Sequence, residues 1–463
     1  MRLTEFKDHQ RELHYFHLRI GIAGVLVFAA FALLLLRFVY LQIVQYDYYR
    51  TKAEDNRISI VPIIPNRGLI LDRGGTVLAR NYSAYTLEIS PGKVDNLEKT
   101  INELEAIVEI RPSDRARFKR LMIEAKGAVS LPIRTRLTDE EVAKFAVNNY
   151  RFPGVDIQAR LFRQYPLNAA ASHVTGYIGR INDRDVARIN EAGLAANYKG
   201  TDHIGKTGLE QSYEGELHGI TGYEQVEVDS AGRGVRTLSR TSPTPGNNLV
   251  LTLDIKLQQV AEQAFGDKRG ALVAIEPDTG GVLAFVSKPG FDPNLFVDGI
   301  DPASWEELNT SQDRPMVNRA LAGTYPPGST FKPYMALAAL ELRKRTPQQA
   351  ISDPGYFMFG GHRFRDDKPG GHGTVDMYKS LVQSCDTYYY VLGNDLGIDN
   401  IARFIGQFGF GARTGIDVEG EASGVLPSPE WKRKRFKKPE QQKWYPGETI
   451  SIGIGQGYNA YTP

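Results

Sequence analysis

A serine and a lysine three residues apart form the most chemically suggestive pair in this sequence. Ser329 and Lys332 lie in GTYPPGSTFKPYMALAAL, residues 323–340, where two prolines and a glycine precede the serine and an apolar run follows the lysine. This pattern predicts a turn followed by a helix that begins at the serine and runs through Leu340. Positions i and i+3 share a helix face, so the lysine amine can reach the serine hydroxyl. The spacing predicts a nucleophilic serine with a lysine base, and helix N-terminal amides that stabilise an oxyanion.

The spacing alone is weak evidence, because Ser90 and Lys93 share it and a capped helix with a solvated lysine explains either pair. A second motif, Ser384-Cys385-Asp386, follows 55 residues after the first serine. A serine at this position can transfer a proton between Lys332 and a leaving group. Ser-x-Asp is itself common, as Ser311-Gln312-Asp313 shows. The prediction of an active site therefore depends on both motifs occurring in this order.

The residues around the second motif also offer four possible metal ligands. Cys385 is the only cysteine, which excludes an internal disulfide, and Asp353, Asp366 and His372 precede it. Two carboxylates, an imidazole and a thiolate form a ligand set that zinc accepts. The alternative is a buried cysteine near surface aspartates and an ordinary loop histidine. Any zinc here is expected to be structural and to brace the loop before Ser384.

Composition predicts a multidomain protein without a general affinity for nucleic acids. The 463 residues suggest about three domains, and 41% hydrophobic residues suffice to form cores. The net charge of +2 is nearly balanced. The basic run at 432–438, KRKRFKK, is therefore interpreted as a solvated loop rather than a site for nucleic acid or anionic lipid.

An apolar segment near the start predicts one transmembrane helix at residues 20–44, after an N-terminal tail at 1–19. Residues 20–36 carry no charge, and the apolar character resumes after Arg37. A cleaved signal peptide is the alternative, but it needs a shorter apolar run with small residues at its end. Here the run continues into Tyr40, Tyr46, Tyr48 and Tyr49, which suit a membrane interface. Positive charges flank both ends, so they do not decide the orientation.

The remainder predicts an α+β multidomain fold: a strand-rich domain at 45–240, called the pedestal below, and a second domain, an antiparallel sheet with helices, at 247–463. TSPTPG at 241–246 breaks the pattern and is the predicted boundary. Hairpins are predicted around the turns at 72–75 and 278–281, and strands at 154–165, 173–180, 223–228 and 249–253. Helices are predicted across 95–150, with Thr138 and Glu141 as a capping box, and from Asp254 to Phe265.

Two glycine-rich stretches imitate nucleotide-binding motifs. Residues 200–207, GTDHIGKT, fit the phosphate-binding loop pattern, but no hydrophobic strand leads into them. Residues 453–457, GIGQG, lack the spacing of a dinucleotide fingerprint. Both are interpreted as chance matches.

Four motifs together resemble one enzyme family. Residues 67–73, RGLILDR, and 205–210, GKTGLE, are similar to pedestal motifs, and Ser329-Thr-Phe-Lys332 and Ser384-Cys-Asp386 to catalytic motifs, of the class B penicillin-binding proteins. The resemblance extends from the anchor to the last residue and is strongest to the elongation-type penicillin-binding protein 2. Most relatives have asparagine at the position of Asp386, but the elongation branch often has aspartate.

The resemblance implies a D,D-transpeptidase (a serine acyltransferase) that cross-links peptidoglycan stem peptides during cell elongation and rod-shape maintenance, and that penicillins and other β-lactams inhibit. It implies a single-pass protein of the bacterial inner membrane with residues 1–19 as a cytoplasmic tail and its catalytic domain in the periplasm. The implied partners are a RodA-like glycosyltransferase of the SEDS class and MreC-like elongation proteins. The implied catalytic residues are Ser329, Lys332, Ser384 and Asp386. No cofactor is implied for catalysis, but the elongation branch implies a structural zinc on the four ligands named above.

One family motif is absent. A third motif, lysine, serine or threonine, then glycine, is expected downstream of the second, and the sequence reaches Pro463 without it. Lys206-Thr207-Gly208 does not replace it, because it precedes the nucleophile. We therefore expect a transpeptidase domain that is C-terminally incomplete in this chain.

The expected reaction is acylation of Ser329 by a D-Ala-D-Ala terminus, followed by attack of an amine on the acyl-enzyme. Lys332 serves as base only as the neutral amine, whereas a nearby carboxylate favours the charged form. We therefore expect Asp386 to contact Lys332 weakly or through Ser384. The alternatives are a hydrolase of the same fold (a D,D-carboxypeptidase or a β-lactamase-like enzyme) and a non-catalytic membrane scaffold.

Overall fold

The computed structural model describes residues 9–46, 49, 58–124, 130–228 and 234–463. The chain forms two compact units, one of Met1–Ile64 with Ile220–Thr244, the other of Pro65–Gly219 with Pro245–Pro463. Residues of the predicted pedestal, 45–240, belong to both units. The boundary at 241–246 stays a prediction.

The first unit contains an apolar helix and a small sheet. The helix His9–Val39 continues into a π-helical turn, Tyr40–Val44. Among the described residues, Gln10–Val44 is the one helical segment long and apolar enough to cross a membrane, and its apolar 18-residue window has a mean hydropathy of 2.6. The predicted anchor at 20–44 lies within it, whereas residues 1–8 of the predicted tail and Tyr48 lie outside the described residues. Three antiparallel strands form the sheet in the order β1-β8-β9: β1 Ile58–Ile63, β8 Gly222–Val228 and β9 Gly234–Thr241.

The second unit begins with a mixed sheet, whose strands are β2 Ile70–Leu71, β3 Val77–Ile89, β4 Leu131–Leu137, β5 Val155–Gln164 and β10 Leu249–Val250. The strand order is β10-β2-β3-β4, and β5 also pairs with β3. The predicted first hairpin is confirmed, and its turn forms because the Asp72 carboxylate accepts the amides of Gly74 and Thr76 at 2.9 and 2.7 Å. The strand predicted at 249–253 spans only two residues.

Helices cover this sheet where the sequence predicts them, with β4 between them. They are Leu97–Leu104, Pro112–Glu124 and Asp139–Asn148, and the last begins at the predicted capping box of Thr138 and Glu141. A purely helical stretch over 95–150 is wrong, because residues 131–137 form β4, in which Leu131, Ile133 and Leu137 are buried at odd-numbered positions of one strand face.

The predicted strand at 173–180 is also largely wrong. Only β6, Ile178–Arg180, is extended, and it pairs with β7, His203–Gly205. Ser172–Thr175 instead forms a buried helical turn, and Gly176, with φ 70°, separates the turn from the strand. β7 lies within residues 200–207, which fit the phosphate-binding loop pattern. Lys206 of this segment donates to the Asp185 carboxylate. The following helix, Gly208–Ser212, has five residues. Residues 200–207 therefore pack within the pedestal.

The remainder of the second unit carries the catalytic motifs. A confirmed antiparallel hairpin, β11 Gly270–Ile275 and β12 Val282–Lys288, packs against the helix Ile255–Phe265, which Asp254 caps as predicted. Two short antiparallel strand pairs follow: β13 Ile351–Asp353 with β16 Gly373–Val375, and the hairpin of β14 Tyr356–Phe359 with β15 His362–Arg365. The helices here are Asn294–Val297, Pro302–Thr310, Lys332–Glu341, Met377–Val382, Asp386–Leu396, Ile398–Ile405, Pro429–Arg435, Pro439–Gln442 and Pro446–Ile452.

One apolar core holds the segments that bear the motifs. Phe331, Met335 and Tyr389 are fully buried in it and come from both motif-bearing segments. The glycine-rich turn at 453–457 closes against the first motif, because the Gly328 amide donates to the Gly455 carbonyl at 3.0 Å. An added Cβ at Gly455, whose φ is 73°, lies 2.2 Å from the Gly328 oxygen. Only glycine allows this approach.

Candidate active site

Ser329 lies in a 3-10 turn at the start of a buried helix. The turn spans Gly328–Phe331 and leads directly into the helix Lys332–Glu341. The predicted helix is thus confirmed, although its first residues, which include Ser329, are tighter than an α-helix. The serine is exposed, whereas Lys332 is 1% exposed. The local sequence therefore presents the hydroxyl to solvent and buries the lysine beneath it.

A hydrogen-bond path connects the three predicted catalytic groups. Ser384 Oγ lies 2.9 Å from Ser329 Oγ and donates to it. Lys332 Nζ donates to Ser384 Oγ at 3.1 Å and to the Ser384 carbonyl at 2.6 Å. A third bond, to Asp386 Oδ1 at 2.6 Å, uses the last donor of the ammonium group. The path from Lys332 to Ser329 therefore runs through Ser384.

The expectation that Asp386 contacts Lys332 weakly or through Ser384 is wrong. The two side chains form a direct ion pair at 2.6 Å, with the lysine side chain 2% exposed and the aspartate 19%. A buried ammonium group is costly without a counter-charge, and Asp386, the first residue of the helix Asp386–Leu396, supplies it.

The backbone at Ser384 explains how one residue contacts both neighbours. Its φ is 54°, in the left-handed region that few non-glycine residues adopt. The amide of the next residue, Cys385, donates to the Ser380 carbonyl at 3.0 Å and holds the turn closed. Strained conformations of this kind concentrate at functional sites, where the surrounding structure maintains them.

The four predicted metal ligands converge behind this turn. Suitable ligand atoms of Asp353, Asp366, His372 and Cys385 all lie within 4.8 Å of one another. Cys385 Sγ is 3.5 and 3.4 Å from oxygens of the two aspartates, and His372 Nδ1 is 2.9 and 3.3 Å from oxygens of the same two residues. Bonds of about 2.0–2.3 Å to a tetrahedral zinc separate neighbouring ligand atoms by roughly 3.5 Å. The residues therefore fit a tetrahedral metal ion.

Burial favours the protonated thiol in the absence of a metal. Desolvation is the main cause that raises the pKa of Cys385 well above its ordinary value, and Asp366 and Asp353 raise it further. Zinc takes the thiolate, so binding must release this proton. The cluster also touches the catalytic helix, because the Thr387 amide donates to Asp366 Oδ2 at 2.6 Å.

The motifs do not reveal an aromatic support beneath Lys332. The ring centroid of Tyr389 lies 5.6 Å from Lys332 Nζ, and the Tyr389 hydroxyl accepts from Ser380 Oγ at 3.2 Å. The run Tyr388-Tyr389-Tyr390 is visible in the sequence, but which ring faces the lysine depends on tertiary packing.

The two pedestal motifs meet in a buried ion network within the second unit. Glu210 contacts Arg67 at 2.6 Å and Arg163 at 2.7 Å, and the Glu210 side chain has 0% exposure. Burial opposes ionisation of Glu210, but the two guanidinium groups outweigh it and hold the pKa of Glu210 below its ordinary value. Arg163, absent from the motifs, is the partner that sequence reasoning missed. These residues therefore brace the pedestal rather than join the catalytic group.

Comparisons with known proteins agree with this arrangement. A family model of the penicillin-binding protein dimerisation domain matches residues 62–251, and one of the penicillin-binding protein transpeptidase domain matches residues 270–463. The peptidoglycan D,D-transpeptidase MrdA of Escherichia coli (strain K12) is 45% identical over 462 residues, which cover 99% of this chain and 72% of that protein.

Two solved structures are similar over most of the chain. The complex between penicillin-binding protein PBP2 and MreC from Helicobacter pylori is 29% identical with a TM-score of 0.75, covering 88% of this chain and 75% of the other. A structure on the coordination of polymerization and crosslinking by a peptidoglycan synthase complex is 30% identical with a TM-score of 0.64, covering 96% of this chain and 75% of the other.

Proposed function

The chain belongs to the penicillin-binding proteins and is a peptidoglycan D,D-transpeptidase, and we propose that Ser329 is its nucleophile. The observation that carries this proposal is the continuous path from Ser329 Oγ through Ser384 Oγ to Lys332 Nζ. Asp386 positions the lysine through their ion pair. This class of enzyme works without a cofactor.

In the acylation step, Ser329 Oγ attacks the carbonyl carbon of the penultimate D-alanine of a stem peptide. The serine proton moves through Ser384 to the neutral amine of Lys332. The bond to the terminal D-alanine then breaks, and the same path returns the proton to the departing nitrogen. The product is an ester between Ser329 and the shortened peptide, with free D-alanine released.

In the second step, an amine from a neighbouring strand attacks the ester carbon. Lys332 and Ser384 accept the amine proton and return a proton to Ser329 Oγ as the ester bond breaks. Peptide cross-linking results, and the free enzyme is restored.

An amine-exchange assay tests this function against hydrolysis. The full-length protein is given a D-Ala-D-Ala peptide and a labelled D-amino acid as acceptor. A transpeptidase incorporates the label with loss of D-alanine, and Ser329→Ala abolishes incorporation, whereas Ser311→Ala, in the lookalike Ser-x-Asp, leaves it unchanged. Release of D-alanine without incorporation would indicate a hydrolase, and neither product would indicate a scaffold.

We further propose that Asp353, Asp366, His372 and Cys385 hold one structural zinc ion. The converging ligand atoms and the buried thiol support this proposal. When bound, the ion fixes the loop that ends at Ser384 and supplies no step of the reaction. The chain's own Thr387 amide links the cluster to the catalytic helix.

The N-terminal apolar helix anchors the chain in a membrane, and we propose that residues 1–19 lie in the cytoplasm and the catalytic residues in the periplasm. The apolar segment Gln10–Val44 and the family's substrate, the cell wall, support this orientation. Fusing alkaline phosphatase, which is active only in the periplasm, after Pro463 tests it. A fusion protein of normal abundance without phosphatase activity would indicate the opposite orientation.

For partners, we propose an MreC-like protein and a RodA-like SEDS glycosyltransferase, with residues 45–240 as the pedestal and 247–463 as the transpeptidase domain. The similar Helicobacter pylori protein is seen with MreC, and another similar chain belongs to a peptidoglycan synthase complex. Co-purification tests this assignment. Each candidate is recovered with the full-length protein and, for comparison, with a protein whose residues 45–240 are replaced by another pedestal. Equal recovery with both would exclude the pedestal as the docking domain.

A further inference from the structure

A concentrated positive charge lies in the segment 429–443, which we call the basic arm. It contains seven lysine and arginine residues and two glutamates, whereas the whole chain has a net charge of only +2. The arm is formed by the helices Pro429–Arg435 and Pro439–Gln442. The remainder of the chain is therefore slightly acidic, and the arm is an exception to it.

Most of these cations are exposed and form no salt bridge in the part of the chain that the structure describes. Lys434 pairs with Glu430 at 2.7 Å on the arm's own surface. Arg433, Arg435, Lys437 and Lys438 are exposed, and none has an ion-pair partner among the described residues. Such a surface attracts an anion.

Buried contacts of Lys432 hold the basic arm in place, whereas the sequence pattern indicates a solvated loop in this segment. Lys432 is 3% exposed, and its ammonium group donates to the Glu448 carboxylate and to the Lys443 carbonyl at 2.8 Å. The ring centroids of Trp444, Tyr445 and Tyr458 lie 5.3–5.7 Å from the same nitrogen. Burying this cation within the arm fixes the backbone that presents the exposed ones.

The residues that hold the basic arm also contact the segment that carries Ser329. The Tyr458 ring packs on Trp431 of the arm at 5.2 Å. Tyr458 also directly follows the turn at 453–457, whose Gly455 carbonyl accepts the amide of Gly328, the residue before Ser329. The helix Pro446–Ile452, which follows the arm, packs on the helix that begins at Asp386. The basic arm and Ser329 are thus connected through the same packed residues.

We propose that the basic arm binds the carboxylates of the peptidoglycan stem peptides that approach Ser329. This inference rests on the proposed function, because it takes the substrate to be a stem peptide, an acidic peptide that ends in a D-alanine carboxylate. Exposed arginine and lysine side chains bind carboxylates by charge-assisted hydrogen bonds, with little demand on sequence. The arm raises the local concentration of substrate and leaves the reaction to Ser329, Lys332 and Ser384.

The test measures binding in the full-length Ser329→Ala protein, which does not consume the peptide. The probe is a soluble muramyl pentapeptide, compared with the same peptide whose carboxylates are amidated. We expect the free acid to bind about tenfold more tightly than the amidated form, with the difference reduced by added salt. This comparison needs no variant of the arm.

Variants of the arm then locate the effect. Glutamine at Arg433, Arg435, Lys437 and Lys438 is expected to weaken binding of the free acid about tenfold and to leave the amidated peptide unaffected. Arg433→Lys with Arg435→Lys retains the charge and is expected to retain binding. The matched control replaces four exposed cations elsewhere in the same unit with glutamine: Lys256, Lys268, Arg343 and Lys344.

Equal binding of the two peptides, or undiminished binding by the four-glutamine variant, would overturn the inference. It would also fail if that variant lost binding only to phosphatidylglycerol vesicles, because the arm would then be a lipid-binding surface. Penicillin acylation of the protein with Ser329 intact is measured separately. If the protein with Ser329 intact is not acylated by penicillin, the proposed function is refuted instead.

Discussion

Lys332 Nζ lies 2.6 Å from Asp386 Oδ1, and this ion pair joins the helix after Ser329 to the helix after Ser384. The carboxylate holds the amine against Ser384 and also favours its charged form. The base must lose a proton before it accepts one, so Asp386 has two opposing effects on acylation.

Asp386→Asn is therefore expected to change the rate of penicillin acylation by less than about tenfold. The amide oxygen still accepts a hydrogen bond from Lys332, and the weaker hold is offset by easier loss of the ammonium proton. Asp386→Ala removes the acceptor and is expected to slow acylation by about 10- to 100-fold, the equivalent of one hydrogen bond to a charged group. Stopped-flow acylation rates test this order, and equal losses in both variants would contradict it.

Ser384→Ala is expected to reduce acylation by about 10²- to 10⁴-fold, the usual contribution of positioned proton transfer. The loss arises because the path from Lys332 to Ser329 runs through the Ser384 hydroxyl. Ser384→Gly is the informative comparison, since glycine relaxes the backbone at φ 54° but also lacks the hydroxyl. Acylation measured with a fluorescent penicillin should be slow in both variants. Recovery in the glycine variant would show that strain, not the hydroxyl, is what matters.

Zinc is expected at one atom per chain in protein purified without chelators, as measured by elemental analysis. His372→Ala should lose the metal and lower the thermal midpoint, by about 2–4 °C for each kcal/mol lost in a domain of this size. His362→Ala is the matched control, because this histidine lies in the exposed hairpin of β14 and β15 outside the cluster. A purified, folded protein without zinc would refute the proposed zinc site.

Glu210→Gln is expected to destabilise the second unit by about 3–5 kcal/mol at neutral pH, because it leaves the buried Arg163 without its counter-charge, whereas Arg67 keeps Glu214 at 2.7 Å. Urea unfolding measures this loss. Glu140→Gln, which removes an exposed partner of Lys144, should leave the urea midpoint unchanged.

The same residue predicts a pH dependence. The folded pKa of Glu210 lies below its ordinary value of 4.5, so its stabilising contribution is present above that pH and is lost as the pH falls through the folded value. The free energy of unfolding should therefore fall on acidification below about pH 4.5, and less steeply in Glu210→Gln. Parallel curves for the two proteins would show that Glu210 does not carry this dependence.

Local sequence signals predicted the parts of the fold that depend on local chemistry. The turn at Asp72, the capping box at Thr138 and the helix after Asp254 each form because a side chain bonds to nearby backbone amides. Ser172–Thr175 was missed because its conformation depends on burial and on the left-handed Gly176 that follows it.

The same distinction explains the candidate site. The residue types and order of Ser329, Lys332 and Ser384 identify the group, because each motif acts over a few residues. The direct Lys332–Asp386 pair and the proton path through Ser384 depend on how two helices pack and on one left-handed residue. Neither feature leaves a periodic or compositional signal.

Mass spectrometry of the full-length protein after exposure to a penicillin tests whether Ser329 is the nucleophile. We predict a stable adduct with the mass of the intact drug on the peptide that carries Ser329, absent from Ser329→Ala and retained in Ser311→Ala. A folded protein that forms no adduct, or forms one on another residue, would contradict this role of Ser329.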